Sequence, residues 1–181
     1  MKGIIFNLVE DAVVSGHGED TWDDLVDAAG VEGSYTALGN YPDEDLTKLV
    51  GAGAAALDTP PEDLTRGLGR EALLGLARRY PHFFTPHTDA RSFVLTLNDV
   101  IHAEVRKLHA DSNPPEFWFG DADAKQLQIH YRSQRRLCSL AEGMLVGAGE
   151  YYGEKVTVRH EGCMHEGRDH CTFAVDFQPA A

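Results

Sequence analysis

The chain has 181 residues, 43% of them hydrophobic and 25% charged, with a net charge of −13. That length and apolar share suit one domain with a sizeable core and room for an enclosed ligand, and they exclude a disordered chain. The acidic balance argues against a nucleic-acid or acidic-membrane surface, where lysine and arginine must neutralise phosphates.

The opening MKGIIFNLVEDAVV reaches Glu10 and Asp11 after a short apolar run and has no small-residue cleavage site. It reads as a helix and not a secretory signal, and no stretch approaches the ~20 apolar residues needed to span a bilayer. The expected compartment is therefore the cytoplasm. Ile5, Leu8, Val9, Ala12 and Val13 form the stripe of this first helix, with Gly16 and Gly18 at its end. Asp20 is the expected N-cap of a second helix through TWDDLVDAAG, closed by Gly30. A loop with Gly39 and Pro42 leads to a third helix from Asp43 to about Ala56. Pro60 and Pro61 then open a fourth, with Glu62 and Asp63 at its positive end.

RYPHFFTPHTD breaks the pattern with two prolines. From Ser92 to about His109 the spacing predicts the longest helix, with Val94, Leu97, Ile101, Val105 and Leu108 as a buried seam, stopped by Asn113, Pro114 and Pro115. Beyond Pro115 the character changes to FWF, a DAD turn, and the strand LQIHYR. A helix over about Arg136–Gly149 and strands near Val156–His160 and Thr172–Phe177 complete an α+β plan, helices first and then a sheet with one inserted helix.

Within LQIHYRSQRR, Leu127 and Ile129 alternate with polar residues, and the same face of an extended chain continues with Tyr131, Ser133 and Arg135. Two hydroxyls beside a guanidinium receive carboxylates or phosphate well, because arginine binds them bidentately and stays charged. The competing reading is a solvated strand end. His102 follows Ile101 beside the apolar seam, where a lone histidine is commonly a satisfied core residue; His109, near the helix end, is its competitor and suits a capping role. Taken together, the two features suit a large flat apolar ligand with a metal centre and two acid tails. Haem has those demands.

With MKGIIFNLVEDAV, GEDTWDDL, LNDVIHAEV, the Pro114–Pro115 step and Tyr131-x-Ser133-x-Arg135 in this order and spacing, the sequence resembles the H-NOX family of haem-nitric oxide/oxygen binding domains over essentially the whole chain. The resemblance implies a single domain, residues 1–181, with haem b between two parts. One is a distal helical subdomain, about residues 1–60. The other, about 61–181, carries the proximal helix and a C-terminal antiparallel sheet with an inserted helix. It also implies His102 as proximal iron ligand, Tyr131, Ser133 and Arg135 on the propionates, and Pro115 pressed against the macrocycle. A proline ring without rotamers cannot yield to a planar neighbour, although Pro115 also reads simply as a helix stop.

In oxygen-binding members a tyrosine on the helix after the propionate motif donates to bound dioxygen. Here Leu140 stands at that place, and LCSLAEGMLVGAG contains no tyrosine; Ser139 is the only hydroxyl near it. Ile5, Val9, Leu74 and Leu140 are expected to line an apolar pocket, giving a five-coordinate ferrous haem that takes nitric oxide and carbon monoxide but not dioxygen.

HEGCMHEGRDHC packs three histidines and two cysteines into residues 160–171, and Cys138 is the third cysteine of the chain. Cys138, His160, Cys163 and Cys171 make a three-cysteine, one-histidine set for zinc, as several bacterial members of the family carry. His165 and His170 compete for the fourth place, and a histidine-rich hairpin with free thiols is the alternative.

The functional expectation is a haem-based nitric oxide sensor, not an enzyme, in which loosening of the iron–His102 bond shifts the helical part against the sheet. It would signal in trans to a histidine kinase or a cyclic-dinucleotide enzyme. The alternatives are a zinc/thiol redox sensor and a haem-free ligand-binding regulatory module of the vinyl-reductase type.

Overall fold

The structure is a computed structural model that describes residues 1–108 and 113–179. Among the described residues, seven α-helices and four strands follow the α+β plan: α1 Gly3–His17, α2 Glu19–Ala29, α3 Asp43–Leu57, α4 Pro61–Arg79, α5 Ala90–Leu95, α6 His102–Leu108, β1 Glu116–Phe119, β2 Leu127–Arg132, α7 Cys138–Tyr151, β3 Glu154–Gly162 and β4 Cys171–Pro179. The strands form one antiparallel sheet in the order β1-β2-β4-β3. No helix among the described residues is long and apolar enough to cross a membrane.

Two helix boundaries differ from expectation for local reasons. Gly18, at φ 92°, turns the chain directly from α1 into α2 and occupies the N-cap itself. Asp20 therefore lies in the first turn of α2, where it favours the helix dipole but caps nothing. The helix expected over Ser92–His109 is broken. It starts earlier, at Ala90, because the Asp89 side chain accepts from the Ser92 backbone N–H at 2.7 Å. It then loosens where the Thr96 hydroxyl donates to the Phe93 carbonyl at 2.7 Å, competing for the backbone. Leu97–Ile101 form a π-turn, and α6 resumes at His102. Asn98 in that turn is tied to β1, donating to the Phe117 carbonyl and accepting the Phe117 N–H at 3.2 Å. Such turns widen a helix by one residue and recur at functional sites. The expected end at His109 falls outside the described residues, among which the longest helix is instead α4, with 19 residues.

Asp89 carries a pH signature. The Ser92 N–H holds its carboxyl below the usual carboxylate range, against the opposing effect of burial. Its contribution is therefore complete above the unfolded aspartate value, ~3.9, and is lost as pH falls through the lower folded value. Asp89→Ala is expected to cost about 1 kcal/mol at neutral pH, read as a shift in urea midpoint. Asp89→Asn keeps most of the cap but not this acid dependence. Equal acid profiles for Asp89→Asn and the parent chain contradict that assignment.

Apolar burial falls into two clusters. One gathers Phe6 and Val9 of α1, Trp22 of α2, Tyr35, and Leu46, Leu49 and Val50 of α3. The other joins the inner sheet face (Leu127, Ile129, Phe173, Val175) to Ala141, Leu145 and Ala148 of α7 and to Phe93 and Val94 of α5. Helix α4 serves both: Leu64 and Leu68 pack on the first cluster, and Leu73 and Ala77 belong to the second. Its backbone meets α7 at small residues. A Cβ at Gly143 would lie 1.9 Å from the Arg66 carbonyl oxygen, and one at Gly69 would lie 2.2 Å from that of Leu140.

Candidate functional site

Strand β2 alternates as expected through Leu127, Ile129 and Tyr131, but it ends at Arg132. Ser133 and Arg135 are thus not carried by strand alternation, as the sequence suggested. They lie in the turn into α7, whose corner is set by Arg136 at φ 51°. The Ser133 hydroxyl accepts the Arg135 backbone N–H at 3.2 Å, which folds the turn back on itself. Tyr131, 3% exposed, sits between the rings of Phe117 and Phe173 at 5.3 and 6.1 Å. Burial pushes its hydroxyl pKa up, while a hydrogen bond with Ser133 acts in the opposite sense. The structure therefore does bring two of the three polar groups together, through a turn instead of a face.

Arg135 reaches away from the strand. Its Nε donates to Asp43 at 2.8 Å and its Nη1 to the Asn113 carbonyl at 2.7 Å. Asp43, the first residue of α3, also accepts from the Met1 ammonium at 2.8 Å. Burial alone would raise the Asp43 pKa, but the two cationic partners hold it below the usual carboxylate range. A cavity of about 120 Å³ lies here, lined by Met1, Asp43, Glu44, Thr47, Arg135 and Leu137. Asp43 and Met1 escaped the sequence reading, since a helix-opening aspartate looks like a dipole partner and nothing more.

His102 opens α6 directly after the π-turn. Its ring lies 5.8 Å from that of Phe117 at 30°. Burial lowers its pKa to about 4 and Arg106 acts in the same sense, while a hydrogen bond with the Pro115 backbone opposes them. The imidazole is therefore neutral at physiological pH, which is the form that ligates metal. Its Nδ1 is buried and has no hydrogen-bond partner. Buried polar atoms nearly always find one, so an orphaned imidazole nitrogen in an aromatic setting fits a site for an axial iron ligand. The structure also brings Pro115 to this histidine, as the sequence order alone does not require.

The four apolar candidates are less gathered. Ile5 and Val9, one turn apart on α1, both pack in the first cluster. Leu140 is buried on α7 where that helix crosses Gly69 of α4. Leu74, partly buried on α4, belongs to neither cluster.

A second constellation is compact. Cys138 opens α7, His160 lies on β3, Cys163 follows that strand and Cys171 opens β4; one ligand atom of each lies within 4.8 Å of all the others. The Cys163 sulfur is 3.8 Å from those of Cys138 and Cys171. His165 and His170 stand aside, the first 2.8 Å from the Arg136 carbonyl and the second 2.6 Å from Asp169. Burial, reinforced by the neighbouring thiols, pushes Cys138 up to about 12, and burial raises Cys171 too. A divalent ion with sulfur and nitrogen ligands would offset that cost for Cys138 and Cys171 by stabilising their thiolates. The donor set fits tetrahedral zinc. One partner of this cluster was missed: Glu142, whose Oε1 lies 2.6 Å from His160 Nδ1. Its signal in the sequence is the four-residue step from Cys138, which places both on one face of α7.

Compared with known proteins, residues 2–160 match the family described as Haem-NO-binding. Among solved structures, the chain is similar to an H-NOX protein from S. oneidensis in the Fe(II)NO ligation state. The two are 35% identical with a TM-score of 0.91, covering 98% of this chain and 99% of that one. The H-NOX domain from Shewanella oneidensis in the Fe(II)CO ligation state, solved by NMR, gives 35% identity and a TM-score of 0.88 over 98% and 99% of the two chains. An Fe(II) unliganded H-NOX protein from K. algicida, 24% identical over 98% and 97% of the chains with a TM-score of 0.86, shares the fold. No curated protein sequence matches the chain.

Proposed function

The chain belongs to the haem-NO-binding family, and from that premise we propose that it is a nitric oxide sensor. In this reading His102 holds the iron of haem b, Tyr131, Ser133 and Arg135 receive the propionates, and Pro115 contacts the macrocycle. When bound, haem supplies a ferrous iron open to diatomic gases. The observation that carries the proposal is the neutral imidazole of His102, its Nδ1 buried without a partner, beside Pro115 and against the Phe117 ring that also contacts the buried Tyr131.

The residues around that centre have separate tasks. His102 stands at the junction of the π-turn and α6, so a change in its position bears on the Asn98 link to β1. Arg135 and Asp43 join the turn after β2 to α3, and thus the sheet to the N-terminal helices. We take residues up to about 60 as the distal subdomain and about 61–181 as the proximal one; the first apolar cluster is built mainly from α1–α3 and the second from later elements, with α4 packing on both. A partner in trans, a histidine kinase or a cyclic-dinucleotide enzyme, would read a shift between them. The four-residue cluster of Cys138, His160, Cys163 and Cys171 is proposed to hold zinc, with a thiol-redox role as the second reading. A metal-binding cysteine set of this kind suits a reducing compartment, and the cytoplasm is the proposed location.

Gas selectivity follows from Ile5, Val9, Leu74 and Leu140, none of which offers a hydrogen-bond donor to a bound gas. The reduced protein is expected to keep its absorption spectrum in air and to change it under nitric oxide and under carbon monoxide. A stable oxygenated spectrum in air overturns the selectivity. Leu140→Tyr introduces a phenolic donor, and a hydrogen bond to a charged acceptor contributes about 1.5–3 kcal/mol. Oxygen affinity is then expected to rise by roughly 10- to 100-fold.

A further inference from the structure

Glu142 is the one charged side chain among the described residues that is buried, at 5% exposure. It lies on α7, one turn after Cys138. Each carboxylate oxygen has its own cationic or N–H partner: Oε1 meets His160 Nδ1 at 2.6 Å, and Oε2 accepts from Arg66 Nε at 2.9 Å. Arg66 belongs to α4 and also pairs with Asp63 at 2.6 Å. A carboxylate removed from water is costly unless its partners are well placed, and apolar residues pack such a helix–sheet interface equally well. The arrangement therefore calls for a reason beyond packing.

The reason lies in the imidazole. A carboxylate can only accept, so the nitrogen it faces must carry the proton. With Nδ1 donating to Glu142, the lone pair of His160 is on Nε2, and a proton cannot move there without breaking the 2.6 Å contact. Histidines that bind metals are commonly oriented by such a contact on the other ring nitrogen. Arg66 holds the carboxylate from the far side, so its direction is fixed by α4 and not by α7 alone. Where those two helices touch, the backbone of Gly143, the residue after Glu142, packs on the Arg66 carbonyl, which leaves little freedom for either partner to move.

We propose that Glu142, anchored by Arg66, is a positioning residue that presents His160 through Nε2 to a divalent metal held with Cys138, Cys163 and Cys171, so that metal affinity depends on an ion pair rooted in α4. This rests on the reading of those four residues as a zinc site. It adds to that reading which histidine nitrogen binds, and it makes α4, a helix that supplies no ligand, a determinant of affinity.

The test uses the full chain loaded with zinc, its content measured by elemental analysis, and competition with a chromogenic chelator. Glu142→Ala is expected to weaken zinc binding about 10- to 100-fold. Glu142→Gln, which keeps an acceptor without the charge, recovers part of the loss, and Arg66→Gln gives an intermediate one. Nitrogen NMR of the zinc-loaded parent protein is expected to show His160 with a protonated Nδ1 and a metal-bound Nε2, a readout that stands even where a variant folds poorly. Parent affinity retained in Glu142→Ala, or Nδ1 as the bound nitrogen, overturns the proposal while the zinc site stands. A parent protein that takes up no zinc overturns the site itself, and this inference with it.

Discussion

Replacing His102 with glycine is expected to strip the purified protein of haem by at least ~10-fold, a loss of about 1.4 kcal/mol or more in binding, and added imidazole should restore it. The ring is the first side chain after the π-turn, its Nδ1 lacks a partner, and burial keeps it neutral with a pKa of about 4. Each property suits a ligand that must not be protonated when iron arrives. Free imidazole fits the space that glycine leaves, so rescue separates the loss of a ligand from general unfolding. The matching control is His109→Gly, the competing histidine of the sequence, which is expected to keep its haem. Full haem content in the His102 variant without imidazole contradicts the assignment.

Gly143→Ala is expected to be among the most destabilising single methyl additions to the described residues, together with Gly3→Ala, whose Cβ would lie equally close to the Thr36 carbonyl oxygen. The Cβ at Gly143 would lie 1.9 Å from the Arg66 carbonyl oxygen, 2.8 Å from the carbon and 3.0 Å from the Arg70 nitrogen, all of them backbone atoms that no rotamer change can move. Helices α4 and α7 would have to part along a seam that Gly69 and Gly147 also hold close. Overpacking of this kind costs about 3 kcal/mol at its upper range. For a chain of this length that lowers Tm by roughly 6–12 °C. The contrast is Gly51→Ala on the exposed side of α3, where nothing lies within 4 Å, which should stabilise by about 0.5–1 kcal/mol. A Gly143→Ala protein that melts with its parent shows that the two helices are not held as closely as described.

The contrast between these sites and the sequence is instructive. Helix periods were readable through Gly30 and Pro61, because those residues stop or start helices by their own backbone limits. The strand ending at Arg132 and the break at Leu97 were not readable. Both depend on partners far along the chain: Arg135 is drawn to Asp43, and Asn98 to Phe117. An apolar seam with helical spacing does not reveal that its hydrogen-bond ladder slips by one residue. The cysteine cluster was legible because thiols and histidines are rare enough for their spacing to inform. Glu142 was marked only by its four-residue step from Cys138, since a glutamate on a helix is ordinarily solvated, and its partners arrive from α4 and β3 as Arg66 and His160. The seam of Gly69, Gly143 and Gly147 was passed over for a similar reason, because helical glycines read as weak helix formers until a second helix is laid against them.

The most direct measurement is resonance Raman scattering from the reduced protein, prepared with natural and with nitrogen-15 histidine. The account predicts a low-frequency iron–imidazole stretch that moves with the label and disappears in His102→Gly until imidazole is supplied. A reduced haem protein without a label-sensitive stretch, or one whose stretch survives that substitution unaided, contradicts it.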